Sequence, residues 1–184
     1  MTTSTSSRWH SAGEIAMVQL ILMRHGVAAP GMRDRERPLD ERGRMQTRMQ
    51  GASLAAHIGK VSCALVSPAR RTRQSFENLQ VGGLDVEQVR WCEALYSGGY
   101  TQVLEKIRTC GKGGGEGGCA SLLVVGHEPT LSQLIFRLAV PESCARMQVA
   151  WGFSTAMAVV GELEEWESCG EGNLQVSEVL RAHV

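Results

Sequence analysis

Apolar residues along the chain fall into short, nearly unbroken runs, with longer stretches of helical period between them. Val18 to Met23 reads as a strand buried on both faces, because it is short and apolar almost throughout. From about Glu41 to Ile58 the pattern predicts a helix, with Asp40 as its N-cap and Met45, Met49, Ala52 and Ala56 on one face. VSCALVS, residues 61–67, predicts a second strand, and Pro68 opens a second helix reaching about Leu79. LDVEQVR, residues 84–90, predicts a shorter third strand. Tyr100 to Arg108 predicts a helix with Val103, Leu104 and Ile107 together, and SLLVVG, residues 121–126, a fourth strand. Thr130 and Gln133 have the spacing of a capping box, opening a helix with Leu131, Leu134, Ile135 and Leu138 on one side. STAMAVVGEL and NLQVSEVL predict a closing hairpin around the turn region EEWESCGEG. This alternation of strands and helices predicts an α/β sandwich around a largely parallel sheet.

Bulk properties narrow the picture. A chain of 184 residues suits one domain, expected over residues 17–184, with residues 1–16 expected as a disordered extension and Met17 as an alternative start. Zero formal net charge argues against a sequence-independent nucleic-acid binder. Nothing in the sequence has the ~20 consecutive apolar residues of a membrane span, so neither nucleic acid nor membrane is an expected partner. The six cysteines show no zinc spacing and no C-x-x-C pair; they read as reduced packing thiols of a cytoplasmic protein. Residues 111–118, GKGGGEGG, predict a flexible loop; they lack the preceding strand and the G-K-[ST] ending of a phosphate-cradling loop.

Charge is uneven. Arg24, Arg33, Arg35, Arg37, Arg42, Arg44 and Arg48 crowd the first part of the chain, while Glu162, Glu164, Glu165, Glu167, Glu171 and Glu178 mark its end. Two solvated faces of opposite sign are one reading; a basic half that meets an anion is the other.

In a parallel α/β sheet, ligands sit beyond the C-terminal ends of the strands. Arg24-His25-Gly26 leaves the first strand, Ser67-Pro68-Ala69-Arg70-Arg71 the second, and Gly126-His127-Glu128 the fourth. All three should share one edge. Singly each is weak: histidines after strands are often polar loop residues, and S-P-x-R-R is often a helix start with solvated arginines. Together they offer two arginines for an anionic phosphoryl group and two imidazoles, of which a neutral one is a competent nucleophile. Neighbouring arginines should keep such a histidine neutral. A glycine after His25 would let a carbonyl approach one ring nitrogen and leave the other free. A protonated second histidine would stabilise charge on the transferring oxygens.

The set resembles the histidine phosphatase, or phosphoglycerate mutase-like, superfamily. Its R-H-G matches Arg24-His25-Gly26, its S-x-x-x-R-x-x-Q-[ST] element matches SPARRTRQS with Arg71 in the arginine position and Gln74-Ser75 completing it, its R-P-L segment matches RPLDERG at residues 37–43, and its second histidine matches His127 in VVGHEP. The short chain, with no cap insertion between WCEALY and SLLVVGHEP, most resembles the small SixA-type phosphohistidine phosphatases. The resemblance implies a three-layer α/β/α sandwich around a mostly parallel mixed sheet. It implies His25 as nucleophile and phosphohistidine intermediate, and Arg24, Arg71 and His127 as phosphoryl-binding groups, with Gly26 beside them. It implies no cofactor and no metal. Arg70 falls off the motif position and is treated as a surface cation. The proton donor is open between Glu93, Glu128 and no dedicated acid. The substrate is expected to be a phosphohistidine protein; a small phosphomonoester, or phosphate binding without turnover, is the alternative. Oligomeric state is left open.

Overall fold

The computed structural model describes residues 17–31, 33–113 and 118–182. The expectation of a disordered extension over residues 1–16 lies outside them, as does the middle of the glycine-rich segment. Six strands, β1 (Val18–Arg24), β2 (Lys60–Val66), β3 (Asp85–Trp91), β4 (Ser121–Gly126), β5 (Ala158–Leu163) and β6 (Gln175–Leu180), form one sheet in the order β3-β2-β4-β1-β5-β6. The first four are parallel and β5 and β6 are antiparallel, with the final pair as the expected hairpin. The helices are α1 (Glu41–Ile58), α2 (Arg70–Val81), α3 (Ala94–Ser97), α4 (Tyr100–Lys112), α5 (Thr130–Leu138) and α6 (Cys144–Val149), and a single 3-10 turn covers Asp34–Glu36.

The apolar run Leu20–Met23 of β1 is explained by helices on both sides. Leu20 and Leu22 join a core with Val103, Ile107, Leu131 and Leu134 from α4 and α5. Ile21 and Met23 join another with Leu54, Phe76 and Leu79 from α1 and α2. Each fully buried leucine contributes about 1.5–3 kcal/mol of transfer free energy, so the central strands must be apolar on both faces to hold three layers. The described residues include no helix long and apolar enough to cross a membrane.

The apolar face expected for α1 is its solvent face. Met45 and Met49 are about half exposed (49% and 47%), whereas Gly43, Gln46, Thr47, Gln50, Gly51 and Leu54 are buried. Close backbone approach is the reason. A Cβ on Gly51 would stand 2.2 Å from the Leu79 carbonyl oxygen of α2, and one on Gly43 would stand 2.1 Å from the carbonyl oxygen of Val27. Small residues and amides fit that gap, and methionines do not. Asp40 does cap α1, accepting from the Gly43 N–H at 2.7 Å.

The capping box expected at Thr130 is absent. Pro129 takes the N-cap position in a helical conformation, and its carbonyl already accepts the Gln133 N–H at 3.1 Å, so Thr130 lies inside the helix. α2 likewise starts at Arg70, two residues later than the Pro68 start predicted.

Candidate active site

The three clusters meet at the C-terminal edge of the parallel strands. β1 and β4 end side by side, with Arg24 in register with Gly126, so His25 and His127 emerge next to each other, their ring centroids 5.0 Å apart. β2 pairs with β4 on its other side and delivers Ser67 and the start of α2. Together they line a cavity of about 360 Å³ bounded by Arg24, His25, Arg37, Arg71, His127 and Glu128.

His25 is buried, and its Nδ1 lies 2.7 Å from the Gly26 carbonyl. A carbonyl only accepts, so Nδ1 carries the proton. The other nitrogen, Nε2, accepts the Arg71 Nε–H at 3.2 Å. Burial pushes the His25 pKa down to about 4, the Gly26 carbonyl opposes that, and Arg71, Arg24 and Arg37 add to it. The imidazole is therefore neutral at physiological pH, with its Nε2 lone pair directed at guanidinium.

His127 has the opposite tautomer. Its Nδ1 accepts from Arg71 Nη2 at 3.2 Å, which leaves the Nε2–H to donate to Ser67 Oγ at 2.8 Å. Burial, then His25 and Arg71, lower its pKa to about 3. The protonated form in which a second histidine would act as a cation is thus disfavoured in this arrangement, because desolvation beside two guanidinium groups opposes a further positive charge.

Arg71 is buried and is the hub. Besides both histidines it donates to the Asp34 main-chain carbonyl at 2.6 Å and to the Asp34 carboxylate at 3.1 Å. Arg24 donates from Nη1 to the Phe153 carbonyl at 2.6 Å, while its Nε is buried with no partner among the described residues. Burial lowers the Arg24 pKa and the charge of Glu128 opposes that.

The supporting residues account for the motif positions that carry no charge. Ser75 donates from Oγ to the Arg71 carbonyl at 2.7 Å and accepts the Gly26 N–H at 3.1 Å, tying α2 to the loop after β1. Gln74 accepts the Leu39 N–H at 2.7 Å. An isolated antiparallel bridge between Ala28 and Leu39 closes the intervening loop, and Arg37 donates to the Ala29 carbonyl at 2.9 Å.

No family model matches the chain. An uncharacterised protein of Mycobacterium tuberculosis, Rv1276c, is 37% identical over 119 residues, which cover 64% of this chain and 70% of that one. The structure of a candidate phosphohistidine phosphatase SixA from Nakamurella multipartitia is similar at a TM-score of 0.77 and 26% identity, over 91% of this chain and 98% of that one. The chain belongs to the histidine phosphatase superfamily. Its enzyme class is accordingly phosphatase. The protein histidine phosphatase SixA complexed with tungstate has the same fold, with a TM-score of 0.73 and 24% identity over 90% of this chain and 97% of that one.

The crossover from β3 to β4 holds only α3 and α4 among its described elements. The remaining residues singled out in the sequence separate into two groups. Glu128 lines the cavity; its Oε2 accepts from Ser132 Oγ and its Oε1 is buried without a partner among the described residues. Glu93 is held away, in a bidentate pair with Arg35 at 2.7 and 2.8 Å, and lines a different cavity. Arg70 is exposed and does not line the cavity around His25. Gly26 has both backbone groups occupied, by His25 and Ser75, and it packs rather than lines: a Cβ there would stand 2.6 Å from the Gly43 carbonyl oxygen.

Sequence reasoning did not find Asp34, Ser67 as the His127 partner, Tyr96, or the Phe153 carbonyl. Tyr96 donates to Asp34 at 3.2 Å and its ring stands edge-on to His127 at 5.8 Å. Arg37, next to Pro38 in a recognisable segment, was within reach of motif reading.

Proposed function

We propose that the protein is a phosphohistidine phosphatase that works through a covalent phosphohistidine on His25. The observation that supports this best is the His25 Nε2 lone pair at the site's centre, held by the Arg71 Nε–H at 3.2 Å. The Gly26 carbonyl fixes the His25 tautomer, so Nε2 is the atom available to attack phosphorus. Arg71 and Arg24 hold the phosphoryl oxygens by charge-assisted hydrogen bonds. An incoming phosphoryl group takes the Arg71 donors now given to His25 and Asp34.

In the first step the His25 Nε2–P bond forms while the P–N bond to the substrate imidazole breaks, and the leaving nitrogen takes a proton. In the second step water attacks phosphorus, the bond to His25 breaks, and inorganic phosphate leaves. His127 donates from a ring N–H to a transferring oxygen, having exchanged Ser67 for phosphate. The short β3–β4 crossover favours a protein-borne substrate, because no inserted lobe covers the described site.

Labelled phosphohistidine protein supplied to the wild type and quenched in base should leave an acid-labile label on His25. Wild-type turnover by His25→Ala would overturn the mechanism. A clearly higher kcat/KM on sugar or nucleotide-derived phosphates would move the substrate to small monoesters.

A further inference from the structure

Cys63 on β2 and Cys110 in the last turn of α4 hold their sulfurs 3.5 Å apart within the core. They differ in access. Cys110 lines a surface cavity of about 390 Å³ together with Arg90, Lys106, Thr109 and Glu93, whereas Cys63 lies behind it with no exposed area. They also differ in charge. The hydrogen bond shared with the Cys63 thiol and, after it, the Arg90 charge lower the Cys110 thiol's pKa against the effect of burial. The same hydrogen bond and burial push Cys63 up. Cys119 lies at the edge of the pair: its Sγ is 3.5 Å from the Cys110 carbonyl oxygen and it also interacts with the Cys63 side chain. One sulfur is thus suited to attack and the other to resolve, beside a cavity carrying two cations.

We propose that Cys110 and Cys63 are a peroxide-sensitive thiol pair that closes to a disulfide between α4 and β2. The Cys110 thiolate attacks one oxygen of hydrogen peroxide; an S–O bond forms, the O–O bond breaks, and hydroxide leaves to become water. The Cys63 sulfur then attacks the Cys110 sulfenic acid. An S–S bond forms, the S–O bond breaks, and the departing oxygen takes the Cys63 proton to leave as a second water. The thiol pair loses two electrons and the peroxide gains them. This chemistry stands apart from the histidine site and does not depend on what that site hydrolyses.

The test uses the full chain. Protein treated with stepwise hydrogen peroxide is denatured in alkylating agent and digested with trypsin without reductant. Cleavage after Lys60, Arg70, Arg108 and Lys112 places Cys63 in the peptide 61–70 and Cys110 in the peptide 109–112, apart from the other cysteines. The expected result is a linked 61–70/109–112 species that dithiothreitol abolishes. Arg90→Ala should slow its appearance severalfold, and Cys119→Ser should leave its yield unchanged. The exposed Cys144 is the internal reference. If Cys63 and Cys110 stay fully alkylatable when Cys144 is oxidised, the proposal fails. It also fails if Cys119 is found linked to Cys110 or to Cys63 instead.

Discussion

Arg71 gives both of its terminal amino groups to Asp34, Nη1 to the main-chain carbonyl and Nη2 to the carboxylate. A phosphoryl dianion needs the same donors, so the Asp34 carboxylate competes for Arg71 and repels the incoming charge. The carboxylate is more than half exposed, which limits such a pair to about 0–1 kcal/mol. Asp34→Ala leaves the backbone carbonyl in place and removes the competing carboxylate, along with its exposed contacts to Tyr96 and Arg37. The inhibition constants of phosphate and tungstate should fall about 3–5-fold, as expected for that energy, with kcat within about twofold. A raised KM would mean that Asp34 instead orders Arg71 for substrate.

The lowered pKa values of both histidines set the acid side of the reaction. In the mechanism proposed above His25 must be neutral to attack, and burial keeps it so down to about pH 4. The kcat/KM profile, corrected for substrate ionisation, should therefore hold through pH 5.5 and not fall near 6.5 as an ordinary histidine would dictate. Stability follows the opposite limb. Folded His25 and His127 titrate at about 4 and about 3, below the ordinary 6.5 of the unfolded chain. Between those values the unfolded chain binds protons that the native site refuses. Stability is fully present above pH 6.5 and declines as pH falls, by up to about 1.4 kcal/mol per unit for each histidine. Urea melts at pH 7.5 and pH 5.0 measure this, and His127→Gln should remove about half of the slope.

Much of this was legible in the sequence for a physical reason. A strand buried on both faces must be apolar, and β1 and β4 read as such at once. The residues after them had to lie at one edge because parallel strands point the same way. Arg24, His25 and His127 were brought together by that logic, and the family motif singled out Arg71 from its neighbour Arg70. What stayed hidden depends on close approach and on loop pairing. α1 faces the core through Gly43, Gln46, Gln50 and Gly51, a pattern that no hydrophobicity rule detects, since the signal is how near a backbone comes. Asp34 and Phe153 reach the site through loop geometry, and the Phe153 contact with Arg24 uses only a carbonyl, which carries no trace in the side chains.

Of the two carboxylates considered as proton donor, their placement favours Glu128. It shares the cavity with His25 and Arg24, while Glu93 spends both oxygens on Arg35. Glu128→Gln should lower turnover of phenyl phosphate, whose leaving group is poor, about 10–100-fold, a modest general-acid effect. The loss on p-nitrophenyl phosphate should be much smaller, since that leaving group needs little help. Glu93→Gln should change both by less than about threefold, the scale of an exposed ion pair. Equal losses on the two substrates by Glu128→Gln would assign it to binding instead of proton transfer.

Gly26 is constrained from two sides, and a side chain there should cost folding as well as activity. A Cβ would stand 2.6 Å from the Gly43 carbonyl oxygen and 2.9 Å from Thr47 Cγ2, both on α1. Neither neighbour has room to retreat: Gly43 itself packs against the Val27 backbone, and Thr47 is fully buried. Overpacking of this kind costs about 1–3 kcal/mol, which in a domain of this size lowers Tm by roughly 2–12 °C. Gly26→Ala should show that loss in a thermal melt. The same shift moves the Gly26 carbonyl off His25 Nδ1, so kcat should fall in the folded fraction at 25 °C. Gly26→Val should do more of both. A Gly26→Ala protein with an unchanged Tm would mean that the loop after β1 can lift away from α1 at no cost, and the tautomer of His25 would then need another anchor.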